Sequence, residues 1–497
     1  MRFVSVEMFR RLGVLQSTNN CIMLCLCLLV FTTVLIAYYP VLSANAMTFD
    51  DDQYLTDNVL VRNPSWQSVR RFFSEVLHPS TVKGYYQPLS MVSLMIDYLL
   101  GGQPSNLLIF HFTSLILHTL NACLLMVLLY LLFHKPWISA LVSMLFALHP
   151  VTVETVAWVA ERKTLLAAFF SFLSIIFYIR YVRIKNITFF CVSIVAYLGA
   201  IMSKPISLPL PFWLLILDYW PLQRKSVQKC FLDKLPYFAF FSLFAIITFL
   251  SQNSAASAVL PNNTTLSHMV LGVFHNCSFY FRNIIYPISL SPYYGFPSSL
   301  SLSDPMVVYG MILNVGMVLI VFLRSKWAKI ILTGYLFYFI GIFPTLGLIK
   351  FTDVIAADKY IYLPSISIAI TLTYFFCWLY NHTRLQKSLY KITILTTIVA
   401  TLLIIECVNV RNYLVKWKDS TSLYTHTLKF APNSVYVLNN LGEAFLSQGA
   451  ISEAKFYLDT ALYIDPNDHY VKNNLALIFH SEGKTRLANA VSSNRVS

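Results

Sequence analysis

The length of its uncharged apolar stretches is the feature that most constrains this chain. No charged residue occurs between Arg11 and Asp50. Cys21 to Tyr39 alone is long enough to cross a membrane, since a spanning helix takes about 20 apolar residues. Further apolar stretches lie at roughly 106–133, 137–148, 164–181, 188–203, 205–220, 235–251, 305–323, 328–349, 359–380 and 391–409. The sequence therefore predicts an all-α fold, a polytopic membrane helix bundle of about eleven spans.

The charge pattern supports a membrane protein and indicates its orientation. Only 12% of the residues are charged, and the formal net charge is +14. Lys and Arg collect in the cytoplasmic loops of membrane proteins, so we expect membrane lipid and no nucleic acid among the partners. Five basic turns fall on the cytoplasmic side with the N-terminus, near residues 135, 180–185, 224–229, 324–329 and 384–391. The opposite side receives residues 47–104, 149–163, 204, 252–304, 350–358 and the C-terminus.

Three consecutive carboxylates, Asp50, Asp51 and Asp52, follow the first apolar stretch. Charges at the end of a membrane helix are costly unless they meet a cation, a metal or a reacting proton. We interpret them as the mouth of an active site on the outer surface, and an acidic helix N-cap is the alternative. They open the predicted first external loop, 47–104, in which the apolar spacing from Ser65 to Leu77 predicts an amphipathic helix on the membrane.

A second polar stretch lies on the same side, from His149 to Lys163. On a helix there, Glu154, Trp158 and Glu161 share one face, with Arg162 and Lys163 near its end. Carboxylates for hydroxyls, an indole for a ring face and cations for phosphate suit a sugar phosphate. The alternative is an interfacial helix anchored by Trp and Arg.

Other candidate binding residues stand between the spans. Lys204 is a lone cation that suits a phosphate, or a lysine that snorkels to the surface. Asp358 and Lys359 precede two tyrosines and complete a lipid-phosphate site, or simply end a helix. Tyr86 of the first loop and His149 join the substrate-binding candidates.

Several familiar signatures are missing from the sequence. It contains no G-x-S-x-G, Walker A, H-E-x-x-H or Rossmann fingerprint. Its nine cysteines form no C-x-x-C zinc pair and no disulfide framework, and most lie in apolar stretches as small fillers. The Asn-x-Ser/Thr triplets at Asn262, Asn263 and Asn276 are N-glycosylation sites only in a eukaryotic host, and chance occurrence is the alternative.

The C-terminal region differs in kind, because it repeats. Asn439 to Phe445 is echoed by Asn473 to Phe479, and Pro432 by Pro466, in both cases 34 residues later. This period, with small residues where paired helices approach, is typical of tetratricopeptide repeats. One full repeat is present with partial ones on either side. Such helices bind peptides or proteins in a groove, or here form a structural cap.

Several motifs together resemble one family. They are Phe49 to Asn58, Tyr86 to Leu89, Phe110-His111 with Leu117 to Asn121, His149-Pro150 with Glu154 to Lys163, Ala357 to Tyr360 with Tyr362 to Ser365, and Trp417 to Ser420. In that order the chain resembles the transmembrane and tetratricopeptide-repeat O-mannosyltransferases and their bacterial relatives, which have the C-type glycosyltransferase (GT-C) fold. The resemblance implies a transmembrane GT-C-like domain over 1–410 and a repeat region over 411–497. The chain departs from the family in its short repeat array and in Lys359, where relatives often carry Arg; Lys keeps the charge but loses the bidentate fork.

The resemblance implies transfer of a sugar, such as mannose, from a polyprenyl-phosphate donor to an acceptor hydroxyl outside the cytoplasm, with inversion. Asp51 or Asp52 would act as the general base with Asp50 as support. Arg162, Lys163, Lys204 or Lys359 would stabilise the leaving phosphate.

The other expectations concern partners and location. The acceptor is a protein or a glycan, and no cofactor is required by the residues. The sequence leaves open whether a divalent metal binds among Asp50–Asp52, His149 and Glu154. We expect a bacterial inner membrane, with the endoplasmic reticulum as the alternative and the repeats on the periplasmic or lumenal side. The competing hypothesis is a non-catalytic scaffold or lipid-linked-sugar transporter that recruits partners through its repeats.

Overall fold

The computed structural model describes residues 3–46, 50–77, 82, 84–256, 266–295, 300–323, 325–346, 354–382 and 389–492. The described chain is predominantly helical. The first eleven α-helices are α1 Phe3–Tyr38, α2 Val59–Arg62, α3 Trp66–Ser74, α4 Pro88–Leu99, α5 Leu108–Phe133, α6 Pro136–Ala147, α7 Val153–Ala157, α8 Arg162–Ile184, α9 Ile187–Ser203, α10 Leu210–Tyr219 and α11 Val227–Leu232. The remaining ones are α12 Leu235–Ala256, α13 Leu266–Ile285, α14 Pro305–Ile320, α15 Lys326–Ile342, α16 Ile366–His382, α17 Leu389–Leu414, α18 Ser420–Leu428, α19 Val435–Ser447, α20 Ile451–Ile464, α21 His469–Ser481 and α22 Thr485–Ser492.

One small antiparallel sheet accompanies these helices in the described part of the chain. Its strands are β1, Tyr294–Gly295, and β2, Val354–Ala356, with Tyr294 opposite Ala356. The sheet joins two segments that are distant in sequence, so it fixes the chain just before Lys359.

The helices confirm a multi-pass membrane protein. Among the described residues six helices are long and apolar enough to cross a membrane: Cys21–Ser43, Leu108–Phe133, Val159–Ile184, Leu235–Asn253, Trp327–Thr345 and Thr393–Trp417. A bent pair, Pro136–Ala147 with Pro150–Ala157, turns by 56° and makes a seventh if it is one span. Four shorter apolar helices are Pro88–Leu99, Ile187–Ser203, Pro205–Tyr219 and Pro305–Ile320. The count of eleven spans stays a prediction.

The bend has a local cause. Pro150 cannot donate a backbone hydrogen bond, so a helix does not continue smoothly through it. The His149 ring accepts a hydrogen bond from the Val151 N–H at 3.3 Å and caps the turn that follows. The chain therefore changes direction at the C-terminal end of α6 and leads into α7 and α8.

A buried polar network fixes the segment that carries Lys359 to the membrane bundle. The Tyr362 hydroxyl lies 2.8 Å from Nδ1 of His118, whose Nε2 donates to the Ala147 carbonyl at 3.0 Å. Asn121 donates to the same hydroxyl at 3.2 Å and to the Leu165 carbonyl at 3.0 Å. These polar residues of α5 thus hold loop and bundle together, and buried polar groups need such partners.

The C-terminal helices pack in successive pairs. α19 and α21 begin 34 residues apart, as do α20 and α22, which agrees with the sequence period. Gly442 allows the close approach of α19 and α20, since a Cβ there would meet Leu458 Cγ at 2.6 Å. The tetratricopeptide interpretation of these pairs stays a prediction.

The C-terminal region also contacts loop segments between the helices of the bundle. The Asn45 N–H donates to the Lys418 carbonyl at 2.9 Å, and Nε2 of His426 lies 2.9 Å from the Leu290 carbonyl. The rings of Tyr293 and Tyr436 stack with centroids 5.8 Å apart. The helix pairs therefore lie on the same side of the bundle as the Asp50 loop.

One segment differs from the sequence-based description. Residues 252–304, described there as a loop, contain the 20-residue helix α13. Asn276 on this helix is 1% exposed and donates to the Ile355 carbonyl at 2.8 Å, so its triplet is not an accessible glycosylation site. Asn262 and Asn263 lie outside the described residues.

The predicted amphipathic helix of the first loop is present as α3. Ser65 caps it, because its hydroxyl accepts from the Ser68 N–H at 3.0 Å. Trp66 is 87% exposed whereas Phe72 is buried, as expected for a helix lying on a surface.

Candidate functional site

Three lysine ammonium groups surround one buried carboxylate at the end of the bundle that carries the Asp50 loop. The Glu161 side chain is fully buried, and its Oε2 lies 2.8 Å from Lys204 Nζ. Its Oε1 lies 3.5 Å from Lys359 Nζ and 3.7 Å from Lys163 Nζ. We call Lys163, Lys204 and Lys359 the lysine cluster.

The cluster is assembled from three distant segments. Lys163 lies in the first turn of α8, and Lys204 lies where α9 ends before Pro205. Lys359 lies in the short 3₁₀ turn that follows β2. The Lys204 ammonium also donates to the Thr164 hydroxyl at 2.8 Å, which ties this break to α8.

Glu154 and Trp158 hold Lys359 in place. The Lys359 N–H donates to Glu154 Oε2 at 3.0 Å, and its Nζ lies 3.9 Å from Glu154 Oε1. The same Nζ lies 3.7 Å from the centroid of the Trp158 ring, a cation–π distance. Trp158 is only 2% exposed. The indole therefore supports a lysine, and the ring face that Lys359 covers is not open to a sugar.

The three acids of the first loop have different surroundings. Asp50 Oδ2 lies 3.2 Å from Lys163 Nζ, and its side chain is 43% exposed. Asp51 is 1% exposed and accepts a hydrogen bond from the Ala160 N–H at 2.9 Å. Asp52 is exposed and begins the helical turn that follows. Asp50 is thus the acid that the structure brings to the rim of the lysine cluster.

Tyr54 closes the same rim. Its hydroxyl accepts from Lys163 Nζ at 3.1 Å, and its ring centroid is 4.4 Å from that nitrogen. Gln87 of the first loop donates to the same hydroxyl. Tyr54 was not selected from the sequence as a site residue, and Glu161 was expected there to bind a sugar hydroxyl.

Arg162 is not brought to the cluster, although it stands between Glu161 and Lys163. It is fully buried, and its Nη1 lies 2.7 Å from Asp97 Oδ2. The guanidinium also donates to the hydroxyls of Ser93 and Ser114 at 3.0 and 3.1 Å. It thus pins α8 to α4 and α5.

Three other sequence-based candidates also contact protein groups. Nε2 of His149 lies 2.9 Å from the Ile284 carbonyl, and the Tyr86 hydroxyl donates to the Phe73 carbonyl at 3.1 Å. Asp358 is buried and accepts from Asn283 at 2.8 Å and from the Tyr294 hydroxyl at 2.9 Å. These contacts fix the segments around the cluster to one another.

Burial changes the pKa of Lys204 and of several carboxyl groups in and around the cluster. It lowers the pKa of Lys204 to about 8, although Glu161 acts in the opposite direction. It raises the pKa of Asp358 to about 7. Burial and the nearby Asp57 raise the pKa of Asp52, and burial and Asp52 raise the pKa of Glu443 on α19. Helix α19 therefore lies close enough to the acid loop for the two carboxylates to repel each other.

The described residues were compared with the ligand sets that bind metal ions in proteins. No three His, Cys, Asp or Glu side chains there come together as a metal site. Glu154 and Glu161 face lysines, and the His149 ring contacts backbone groups on both nitrogens.

The sequence of this chain is similar to those of three proteins of one kind. No protein-family profile matches the chain. It is 24% identical over 467 residues to protein O-mannosyl-transferase TMTC4 of Homo sapiens, covering 81% of this chain and 61% of that protein. It is 23% identical over 479 residues to TMTC4 of Mus musculus, covering 82% and 62%. Protein O-mannosyl-transferase Tmtc2 of Drosophila melanogaster is 28% identical over 162 residues, 32% of this chain and 17% of that protein.

These similarities confirm the family resemblance that the motifs predict. The chain spans about three fifths of the length of the two TMTC4 proteins that it matches.

Proposed function

We propose that this chain, a relative of protein O-mannosyl-transferases, is a membrane glycosyltransferase that moves a mannosyl group from a polyprenyl-phosphate donor to an acceptor hydroxyl. The observation that carries the proposal is the lysine cluster, which meets a partly exposed carboxylate, Asp50, at one end of the bundle. Cations for a leaving phosphate and an adjacent base are the two parts that single-displacement glycosyl transfer needs.

The charge balance of the cluster suits one phosphodiester. Even with both Glu154 and Glu161 ionised, the three ammonium groups leave at least one positive charge in excess before Asp50 is counted. Lys359 Nζ lies no closer than 3.5 Å to either carboxylate, so its N–H groups can turn to phosphate oxygens at the usual 2.7–2.9 Å. When the sugar–phosphate bond breaks, the phosphate gains a negative charge that the lysines stabilise.

Asp50 is the acid that we assign as general base. The attacked carbon is bonded to a phosphate oxygen, so the base must lie within a few Å of the cations that hold this phosphate. Asp50 satisfies this at 3.2 Å from Lys163 Nζ, whereas the Asp51 carboxylate is tied to the Ala160 N–H. Its carboxylate takes the proton of the acceptor hydroxyl while that oxygen bonds to the anomeric carbon. The bond from this carbon to the phosphate oxygen breaks, with inversion, and polyprenyl phosphate leaves.

The acceptor side is the side of the C-terminal helices. Glu443 of α19 interacts with Asp52, and Tyr436 stacks on Tyr293 of the external segment. We propose that the repeats present a protein acceptor to Asp50 on the non-cytoplasmic side. A bacterial inner membrane and the endoplasmic reticulum both satisfy this placement.

The test uses the full chain in lipid nanodiscs, with a radiolabelled mannosyl-phospho-polyprenol and a Ser/Thr-rich peptide. We expect Asp50→Asn to lower the transfer rate by about 10²–10⁴, the usual range for loss of a positioned base. Asp57→Asn is the matched control, because Asp57 is an exposed acid of the same loop. It should retain the wild-type rate. Full activity in a folded Asp50→Asn variant would remove the proposed base, and no transfer by the wild-type chain would favour a scaffold or transporter.

A further inference from the structure

Glu161 is the centre of the charged groups but is not accounted for by the proposed chemistry. Its side chain has no exposed surface, so it does not reach a sugar hydroxyl from the position that it occupies. One oxygen, Oε2, accepts from Lys204 at 2.8 Å and from the Thr164 hydroxyl. The other, Oε1, faces Lys163 and Lys359. A buried carboxylate with three cationic neighbours calls for its own explanation.

We propose that Glu161 is a positioning residue for the donor phosphate: its carboxylate is the common counter-ion that holds Lys163, Lys204 and Lys359 together. The inference rests on the proposed function, because it assigns the lysine cluster to the donor. It differs from the sequence-based interpretation, in which the carboxylates of this helix bind sugar hydroxyls.

The two oxygens of Glu161 have different tasks in this arrangement. The 2.8 Å contact with Lys204 is a short charge-assisted hydrogen bond, so Lys204 is fixed. The contacts of Oε1 with Lys359 and Lys163 are 3.5 and 3.7 Å, and Oε1 accepts no hydrogen bond from the residues that the structure describes. Charge attraction therefore holds these two ammonium groups near the centre while leaving N–H groups for a phosphate.

Without Glu161 the lysines would repel one another in a buried place, and burial itself disfavours the ammonium form. Lys204 lies between α9 and α10, outside the long spans, and its pKa depends on these opposing effects. Burial lowers its pKa to about 8, Glu161 raises it, and Lys163 and Lys359 lower it. Lys204 also faces the hydroxyl of Thr164 and the ring of Tyr360, whose centroid is 5.6 Å from its Nζ. Glu161 also faces Glu154 and Tyr85.

Loss of the Glu161 charge should therefore lower the pKa of Lys204 further. Since phosphate binding needs the cationic form, kcat/KM falls as pH rises through this pKa. In a plot of kcat/KM against pH, this fall, the alkaline limb, should have its midpoint near pH 8 in the wild-type chain and at lower pH in Glu161→Gln.

The experiment measures kcat and KM for mannosyl-phospho-polyprenol between pH 5.5 and 9, in nanodiscs. For Glu161→Gln we expect at least a ten-fold higher donor KM at pH 8, a smaller change in kcat, and an alkaline limb moved down by about one pH unit or more. Glu161→Asp keeps the negative charge, so its alkaline limb should lie close to the wild-type position.

Asp218→Asn is the matched control. Asp218 is also a buried carboxylate with cationic partners, Lys234 and Arg224, but neither of these partners belongs to the lysine cluster. Its loss should lower thermal stability without moving the alkaline limb or the donor KM.

A second readout separates this inference from the proposed function. Binding of polyprenyl phosphate, without sugar, is measured at pH 6 and pH 8. If the wild-type chain transfers mannose and Glu161→Gln keeps the same limb and KM, the inference is overturned and the transferase stands. If the wild-type chain transfers no mannose but binds polyprenyl phosphate with a Glu161-dependent limb, the transferase fails and the counter-ion role stands. If Glu161→Gln does not fold, donor binding by a Glu161→Ala/Lys204→Met variant equal to wild type at both pH 6 and pH 8 would overturn it.

Discussion

The ion pair between Asp97 and Arg162 offers a direct test of which cations belong to the site. The sequence assigns Arg162 to phosphate binding, and the structure buries it against Asp97 at 2.7 Å. Replacing Asp97 by Leu leaves a guanidinium with no exposed surface and no counter-ion. Replacing both, as Asp97→Leu with Arg162→Met, removes the charge together with its partner.

The magnitude follows from the contacts. Removing one partner of a buried ion pair costs about 3–5 kcal/mol, whereas apolar replacement of both is often neutral or stabilising. Arg162 keeps its hydrogen bonds to Ser93, Ser114 and the Phe110 carbonyl in the single variant, so we expect a value near 3 kcal/mol. The Thr113 hydroxyl, which donates to Asp97 Oδ1 at 2.8 Å, loses its acceptor in both variants, which costs about 1 kcal/mol.

The assay compares thermal midpoints of the detergent-solubilised chains by size-exclusion chromatography, and transfer rates in nanodiscs. We expect the single variant to be strongly destabilised, and the double variant to recover most of the loss with an unchanged donor KM. A stable double variant whose donor KM rises ten-fold or more would refute the structural role and return Arg162 to the phosphate site. A single variant as stable as the wild type would show that the pair is not buried as described.

Two further outcomes are expected. Burial raises the pKa of Asp358 to about 7 from an ordinary value near 3.8, so the folded chain binds a proton that the unfolded chain has released. The free energy of unfolding should then fall as the pH rises from 4 to 7, by at most about 1.4 kcal/mol per pH unit. In Asp358→Asn the thermal midpoint should depend less steeply on pH over this range. An equally steep slope in the variant would contradict the assignment. Cysteines placed at Asp57 and Asn440 should both react with a membrane-impermeant maleimide from outside and one at Trp327 should not, whereas labelling of 57 and 440 from opposite sides would break the topology.

Much of the fold was predictable because its signals are local. The first apolar stretch reappears as the span Cys21–Ser43, and Ser65 with its apolar spacing marks the start of α3. The 34-residue period anticipates where α19 and α21 begin. Helix α13 was missed because its hydrophobic residues alternate with polar ones such as Asn276, which pack against protein rather than lipid. A hydropathy signal does not register such a helix as a span.

The sequence by itself determined a helical membrane protein with acids, lysines and aromatic residues gathered on one side, since apolar length and basic turns act on each segment separately. Only the tertiary structure decided which of these charges meet. Arg162 and Lys163 are neighbours, yet one pairs with Asp97 and the other faces Glu161. Successive residues of a helix point in different directions, so the packing of α8 against its neighbours selects the partner of each. Lys204 and Lys359 join Lys163 only because separate segments end at the same depth of the bundle, which no local pattern in the chain encodes.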